Sequence, residues 1–141
     1  MNDKTFVDTN VLIYAHDVNQ GRKHDVANKI VRQLWNEQAG VLSMQVLQEF
    51  YVNITRKIPR PVPRPSARLL VDDYTAWCIE TTPTEIAAAF RIEDHARVSF
   101  WDALILAAAQ KSGAFRILTE DLNAGQKIAG IRIENPFAGL I

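Results

Sequence analysis

The 141-residue chain is 48% hydrophobic and 23% charged, with a formal net charge of zero at pH 7, which fits one globular domain whose core holds without disulfide or metal staples. Its longest uninterrupted apolar run, Ala103 to Ala109, is far shorter than the roughly 20 residues of a membrane-spanning helix. Met1-Asn2-Asp3-Lys4 offers no basic leader, so a cytoplasmic location is expected. Cys78 is the only cysteine, which excludes an intrachain disulfide and a cysteine-based zinc site.

In chain order, Thr5-Phe6-Val7 is a short β-prone run closed by Asp8. Gly21 to Gln38 reads as a helix, with Val26, Ile30 and Leu34 on one face. Val41-Leu42 is a second apolar run. Ser43 follows as a cap for a helix whose stripe, Leu47, Phe50, Ile54 and Ile58, runs to Pro59. Ser66 is a candidate cap for the next helix, with Leu70, Tyr74 and Trp77 on one face. Thr82-Pro83-Thr84-Glu85 has the form of a capping box with proline at the first helical position. A last helix follows Ser99 and ends near Gly113; Phe115-Arg116-Ile117-Leu118 and Ile131-Arg132-Ile133 read as strands. Strands separated by helices imply an α/β fold, a mostly parallel, short-stranded sheet with helices on both faces.

The charge is unevenly spread. Arg56, Lys57, Arg60, Arg64 and Arg68 occur without an intervening acid, leaving a net −5 over the rest of the chain, and Pro59, Pro61, Pro63 and Pro65 are interleaved with them. The prolines predict an extended, exposed strip. It is either a solvated linker or an arm that contacts the phosphates of RNA.

In an open parallel sheet, ligands bind beyond the carboxyl ends of the strands. Asp8 and Asp121 each follow a predicted strand, while Glu49 and Asp102 sit on predicted helices among apolar neighbours. Carboxylates rarely take such positions unless paired or holding a metal. Each also has a plainer explanation: Asp8 and Asn10 as a turn pair, Glu49 as a surface helix residue, Asp102 as a capping acid with Ser99, Asp121 as a turn residue.

Phe6-Val7-Asp8-Thr9-Asn10-Val11-Leu12, Gln45-Val46-Leu47-Gln48-Glu49-Phe50, Ser99-Phe100-Trp101-Asp102-Ala103-Leu104-Ile105 and Leu118-Thr119-Glu120-Asp121-Leu122 resemble, in order, the four acidic motifs of PIN-domain nucleases. In appearance the chain is most similar to the VapC-like toxins of toxin–antitoxin systems. The resemblance runs to Asn135-Pro136-Phe137 and implies one PIN-like three-layer sandwich over residues 1–141. It further implies an endoribonuclease that hydrolyses RNA phosphodiester bonds with a metal-activated water and needs Mg²⁺ or Mn²⁺. Asp8, Glu49, Asp102 and Asp121 would be the catalytic, metal-binding carboxylates, with Asn10, Ser99 and Thr119 orienting ligands or waters. Glu120 stands beside Asp121 as a second candidate for the fourth acid. The implied partners are an RNA substrate, a cognate antitoxin and a second copy in a homodimer. Phe50, Tyr51, Trp77, Trp101 and Phe137 are available for such surfaces or for the core.

Simple electrostatics agrees with a metal. Two like charges about 4 Å apart repel by about 4 kcal/mol at an effective dielectric near 20. An all-oxygen donor set favours Mg²⁺ or Mn²⁺ over zinc. The rival chemistries fit less well. His16, His24 and His95 lie outside the acidic motifs. A haloacid-dehalogenase-like phosphatase needs a second aspartate two residues after the first, where this chain has Asn10. A catalytically silent PIN scaffold acting as a binding module would not need all four acids.

Overall fold

The computed structural model describes residues 3–140. Its strands are β1 (Thr5–Val7), β2 (Gly40–Val41), β3 (Arg116–Leu118), β4 (Lys127–Ile128) and β5 (Ile131–Glu134). Its α-helices are α1 (Thr9–His16), α2 (Arg22–Glu37), α3 (Met44–Arg56), α4 (Arg64–Tyr74), α5 (Pro83–Ala96) and α6 (Phe100–Ser112). The helices flank a five-stranded sheet of order β2-β1-β3-β5-β4. β2, β1, β3 and β5 are parallel, and β4 is added antiparallel to β5.

Phe6, Val7, Ile117 and Ile133 are fully buried. These central strands are apolar on both faces because helices cover both. The chain leaves β1 for β2 on one side, and β3 enters on the other. The strand order thus reverses at the carboxyl ends of β1 and β3, the usual ligand position in such sheets. In register, Val7 lies opposite Leu118, and the Asp8 N–H continues the ladder to the Leu118 carbonyl at 3.0 Å.

Helix boundaries follow local chemistry. Ser43 and Ser99 cap α3 and α6 by accepting from the N–H groups of Val46 and Asp102 at 3.4 and 3.1 Å. Thr82 and Glu85 form the expected capping box. Gly113 ends α6 at φ 76°, in the left-handed region that glycine tolerates.

Three features depart from the sequence reading or lie outside it. Val11 to Ala15 forms most of α1, which the sequence does not announce: Val11, Leu12, Ile13 and Ala15 are all buried, so the segment lacks a polar face and the periodicity that goes with one. The basic strip is not extended throughout. Arg56 closes α3, and α4 begins at Arg64 with Pro63 as its cap, not Ser66. Prolines at the start of a helix are tolerated because their missing N–H groups would lack intrahelical partners in any case. Only residues 57–63 form the connecting loop, tied back by the Val62 N–H to the Ile54 carbonyl at 2.8 Å. Finally, β4 escapes sequence reading because it is two residues long; Ala129 and Gly130, both at positive φ, turn it tightly into β5.

Among the five aromatic residues considered for surfaces, Phe50, Trp77 and Phe137 belong to the core, Tyr51 is half-buried, and Trp101 stands 64% exposed next to Asp102. No described helix is long and apolar enough to cross a membrane.

β2 packs closely beneath Trp77: a Cβ at Gly40 would lie 2.7 Å from three atoms of that ring. The ring is buried and cannot swing away without disturbing the core. Gly40→Ala should therefore lower stability by about 1–3 kcal/mol, read as a reduced midpoint in urea; an unchanged midpoint would mean that the Trp77 ring moves freely.

Candidate active site

The site begins with Asp8, which directly follows β1 and caps α1. Its Oδ1 accepts from the Thr9 N–H at 2.7 Å, and its Oδ2 accepts from the Thr119 hydroxyl at 2.8 Å. Thr119, fully buried just beyond β3, also accepts from the Asp121 N–H at 3.1 Å. One hydroxyl thus fixes the Asp8 side chain and the backbone that carries Asp121. Asp121 in turn accepts from the Asn10 side-chain amide, 3.0 Å from each carboxylate oxygen.

Glu49 reaches the same place from α3. Its Oε2 accepts from the Thr9 hydroxyl at 2.8 Å and its Oε1 from the Gln45 amide at 3.1 Å. Thr9 therefore bridges Asp8 and Glu49, a link that the sequence reading does not include. The only sequence signal was its place between two polar site residues, Asp8 and Asn10. Asp102 lies in the first turn of α6, and Ser99 caps that turn rather than meeting another carboxylate.

Electrostatic coupling ties the acids together. Burial pushes the Asp8 carboxyl up from 3.8 to about 6; hydrogen bonds from Thr119 and Thr9 oppose the rise, and the charges of Asp121 and Asp102 add to it. Asp121 is raised first by burial and then by the charges of Asp102, Glu120 and Glu49.

Glu120 is directed elsewhere. It pairs with Lys23 at 2.9 Å and accepts a short hydrogen bond from the Tyr14 hydroxyl. Asp121, not Glu120, has the hydrogen bonds that join it to Asn10 and Thr119. The histidines are apart from the acids: His16 bonds the Tyr74 hydroxyl at 2.6 Å, His24 meets the Tyr14 carbonyl at 2.9 Å, and His95 is exposed.

The sequence model of the PIN domain family matches residues 5–129. The chain belongs to the PIN domain family. No curated protein matches it significantly in sequence. Solved structures share the fold at low identity. A chain of a toxin–antitoxin complex from Klebsiella pneumoniae is 20% identical with a TM-score of 0.65, covering 91% of this chain and 95% of its own. VapC20 of Mycobacterium tuberculosis, described as a sarcin–ricin loop cleaving toxin, is 20% identical with a TM-score of 0.61, covering 84% and 90%. A chain of VapBC2 from Rickettsia felis, solved bound to a promoter DNA fragment, is 14% identical with a TM-score of 0.62, covering 93% and 97%.

The candidate site's donor set suits a hard divalent cation: Asp8, Glu49, Asp102 and Asp121 offer only oxygen, and none of them is in an ion pair with a basic side chain among the described residues. No three acidic, histidine or cysteine side chains among those residues close into a ready-made cage.

The raised Asp8 carboxyl has a definite sign. The folded state holds this proton more tightly than the unfolded chain, so its stabilising contribution is fully present below about pH 4 and is lost as pH rises to about 6. In metal-free buffer, the stability of wild type relative to Asp8→Asn should fall across that window by roughly 3 kcal/mol at most. Urea unfolding of both proteins from pH 4 to 7.5 measures it; a difference that stays constant would contradict a buried, repelled carboxylate.

Proposed function

We propose that this PIN domain, spanning residues 1–141, is a metal-dependent endoribonuclease and the toxin component of a toxin–antitoxin system. The observation that carries the reading is the buried Asp8 carboxylate, coupled to Asp102 and Asp121 and linked through Thr9 to Glu49, with no basic side chain in an ion pair with any of the four among the described residues. Such a centre calls for a cation. The solved structures of the same fold are components of toxin–antitoxin complexes or, in one case, a sarcin–ricin loop cleaving toxin.

Asp8, Glu49, Asp102 and Asp121 would hold Mg²⁺ or Mn²⁺. The bound cation supplies an acidified water and positive charge at the phosphoryl oxygens. Thr119 and the Thr9 N–H keep Asp8 in one orientation, and Asn10 does the same for Asp121. Ser99 sets the first turn of α6, which carries Asp102. The N-terminal turns of α1 and α6 both lie at the site, and their partial positive charge favours an approaching phosphate. The partners of this reading are RNA, a cognate antitoxin that masks the acids, and a second copy in a homodimer; the cytoplasm is where they would meet.

Purified protein should cleave single-stranded or looped RNA in Mg²⁺ or Mn²⁺ and lose that activity in EDTA. Asp8→Asn, Glu49→Gln and Asp102→Asn should each slow cleavage by orders of magnitude with the fold intact by circular dichroism, because they remove charge rather than core volume. The cation should also raise the melting temperature of wild type, since it binds only the folded state. Cleavage that persists in EDTA would sink the metal mechanism, and full activity in Asp8→Asn would move the site elsewhere.

A further inference from the structure

The basic strip, read from sequence as an extended arm, folds into something more local. Arg56 ends α3, while Arg64 and Arg68 stand one turn apart at the start of α4. With Tyr51 and Thr55 they line a depression of about 290 Å³ between the two helices. Lys57 and Arg60, on the connecting loop, do not line it.

Two independent features mark this depression as a place for an anion. None of its three guanidinium groups is in an ion pair among the described residues. Arg64 and Arg68 also occupy the N-terminal part of an eleven-residue helix that has no acid in its first turn. A helix N-terminus already carries partial positive charge and favours acids there. Unpaired cations at that end destabilise the empty protein, and a bound anion relieves both charges at once.

The hydrogen bonding is also prepared. Arg68 Nε donates to the Tyr51 hydroxyl at 3.3 Å, so the phenol oxygen acts as acceptor and its own proton is available to a ligand oxygen. Planar guanidinium groups converging with a hydroxyl match the several acceptor oxygens of a phosphate.

The position connects this depression to the acids. Arg56 lies seven residues after Glu49 on α3, hence on the same helix face about 10 Å along the axis. We infer that the Arg56–Arg64–Arg68 depression holds a backbone phosphate of single-stranded RNA, flanking the phosphate at the acidic centre and fixing the strand without reading its bases. This rests on the ribonuclease reading for the direction of the strand, whereas the phosphate site itself stands on the arginines.

The test measures binding in EDTA, where no cleavage can intervene. Fluorescence anisotropy with two labelled single-stranded RNAs of unrelated sequence gives log K against log salt for wild type, Arg64→Gln/Arg68→Gln and Arg64→Lys/Arg68→Lys. The Gln pair should flatten the slope by about 1.4 for two lost single-strand contacts, equally for both RNAs, and the Lys pair should keep most of the wild-type slope. Inorganic phosphate at millimolar concentration should compete with RNA on wild type and lose that effect on the Gln pair. Removing two unpaired cations should leave the melting temperature unchanged or raised, which separates lost contacts from lost structure.

A wild-type slope in the Gln pair overturns the proposal, as does flattening confined to one RNA, which would mean sequence reading, and so does wild-type protein that binds neither RNA. A flattened slope in a protein that never cleaves RNA in Mg²⁺ would leave the phosphate site standing and defeat the ribonuclease reading. Cleavage with an unchanged slope would do the reverse.

Discussion

The site depends on keeping one carboxylate, Asp8, buried where two parallel strands end. An acid in that position is costly, since burial raises its proton affinity and neighbouring acids add to the effect. Three local features hold it there. The strand ladder places Asp8 beside Leu118, the Thr119 hydroxyl reaches across from the next strand, and the first N–H of α1 caps the other oxygen. The position of the site, beyond the carboxyl ends of β1 and β3, follows from the strand order. The chemistry at that position comes from residues immediately following those strands and from helices α3 and α6.

Each acid is held by a different device, and these devices divide the labour. Asp8 is fixed by backbone geometry and a buried hydroxyl, Glu49 by the Thr9 hydroxyl and Gln45, Asp121 by the Asn10 amide, and Asp102 by its place in the capped first turn of α6. Only Asp8 is buried. The others are more open to solvent, where charge is easier to hold and a ligand can enter. Glu120, adjacent to Asp121 in sequence, is drawn away by Lys23 and Tyr14, so adjacent acids serve different ends of the same loop.

Much of this was legible in the chain. Strand runs ending at Asp8 and just before Asp121, caps at Ser43, Thr82 and Ser99, and the glycine after α6 gave the sheet and most of the helices. The remaining features escaped for identifiable physical reasons. α1 is buried on almost every side, so its residues carry no helical period. The prolines that argued for an extended strip are also compatible with the first turn of a helix, and α4 uses them that way. The Thr9 bridge depends on α3 approaching α1 in three dimensions, forty positions away in sequence, and local sequence cannot report that approach. The convergence of Arg56 with Arg64 and Arg68 is likewise a product of how two helices meet.

The hydrogen bond between Asp8 and Thr119 spans 111 positions, which gives the molecule a timetable. During synthesis Asp8 is made more than a hundred residues before Thr119, and β3, the strand that continues the sheet beside it, emerges only with residues 116–118. A ribosome that stalls before that point leaves a chain carrying Asp8, Glu49 and Asp102 in its sequence but lacking both the hydroxyl that orients the first of them and the acid that completes the set. The acidic centre can therefore be assembled only once Asp121 has been made, so products cut short before that residue are born without it.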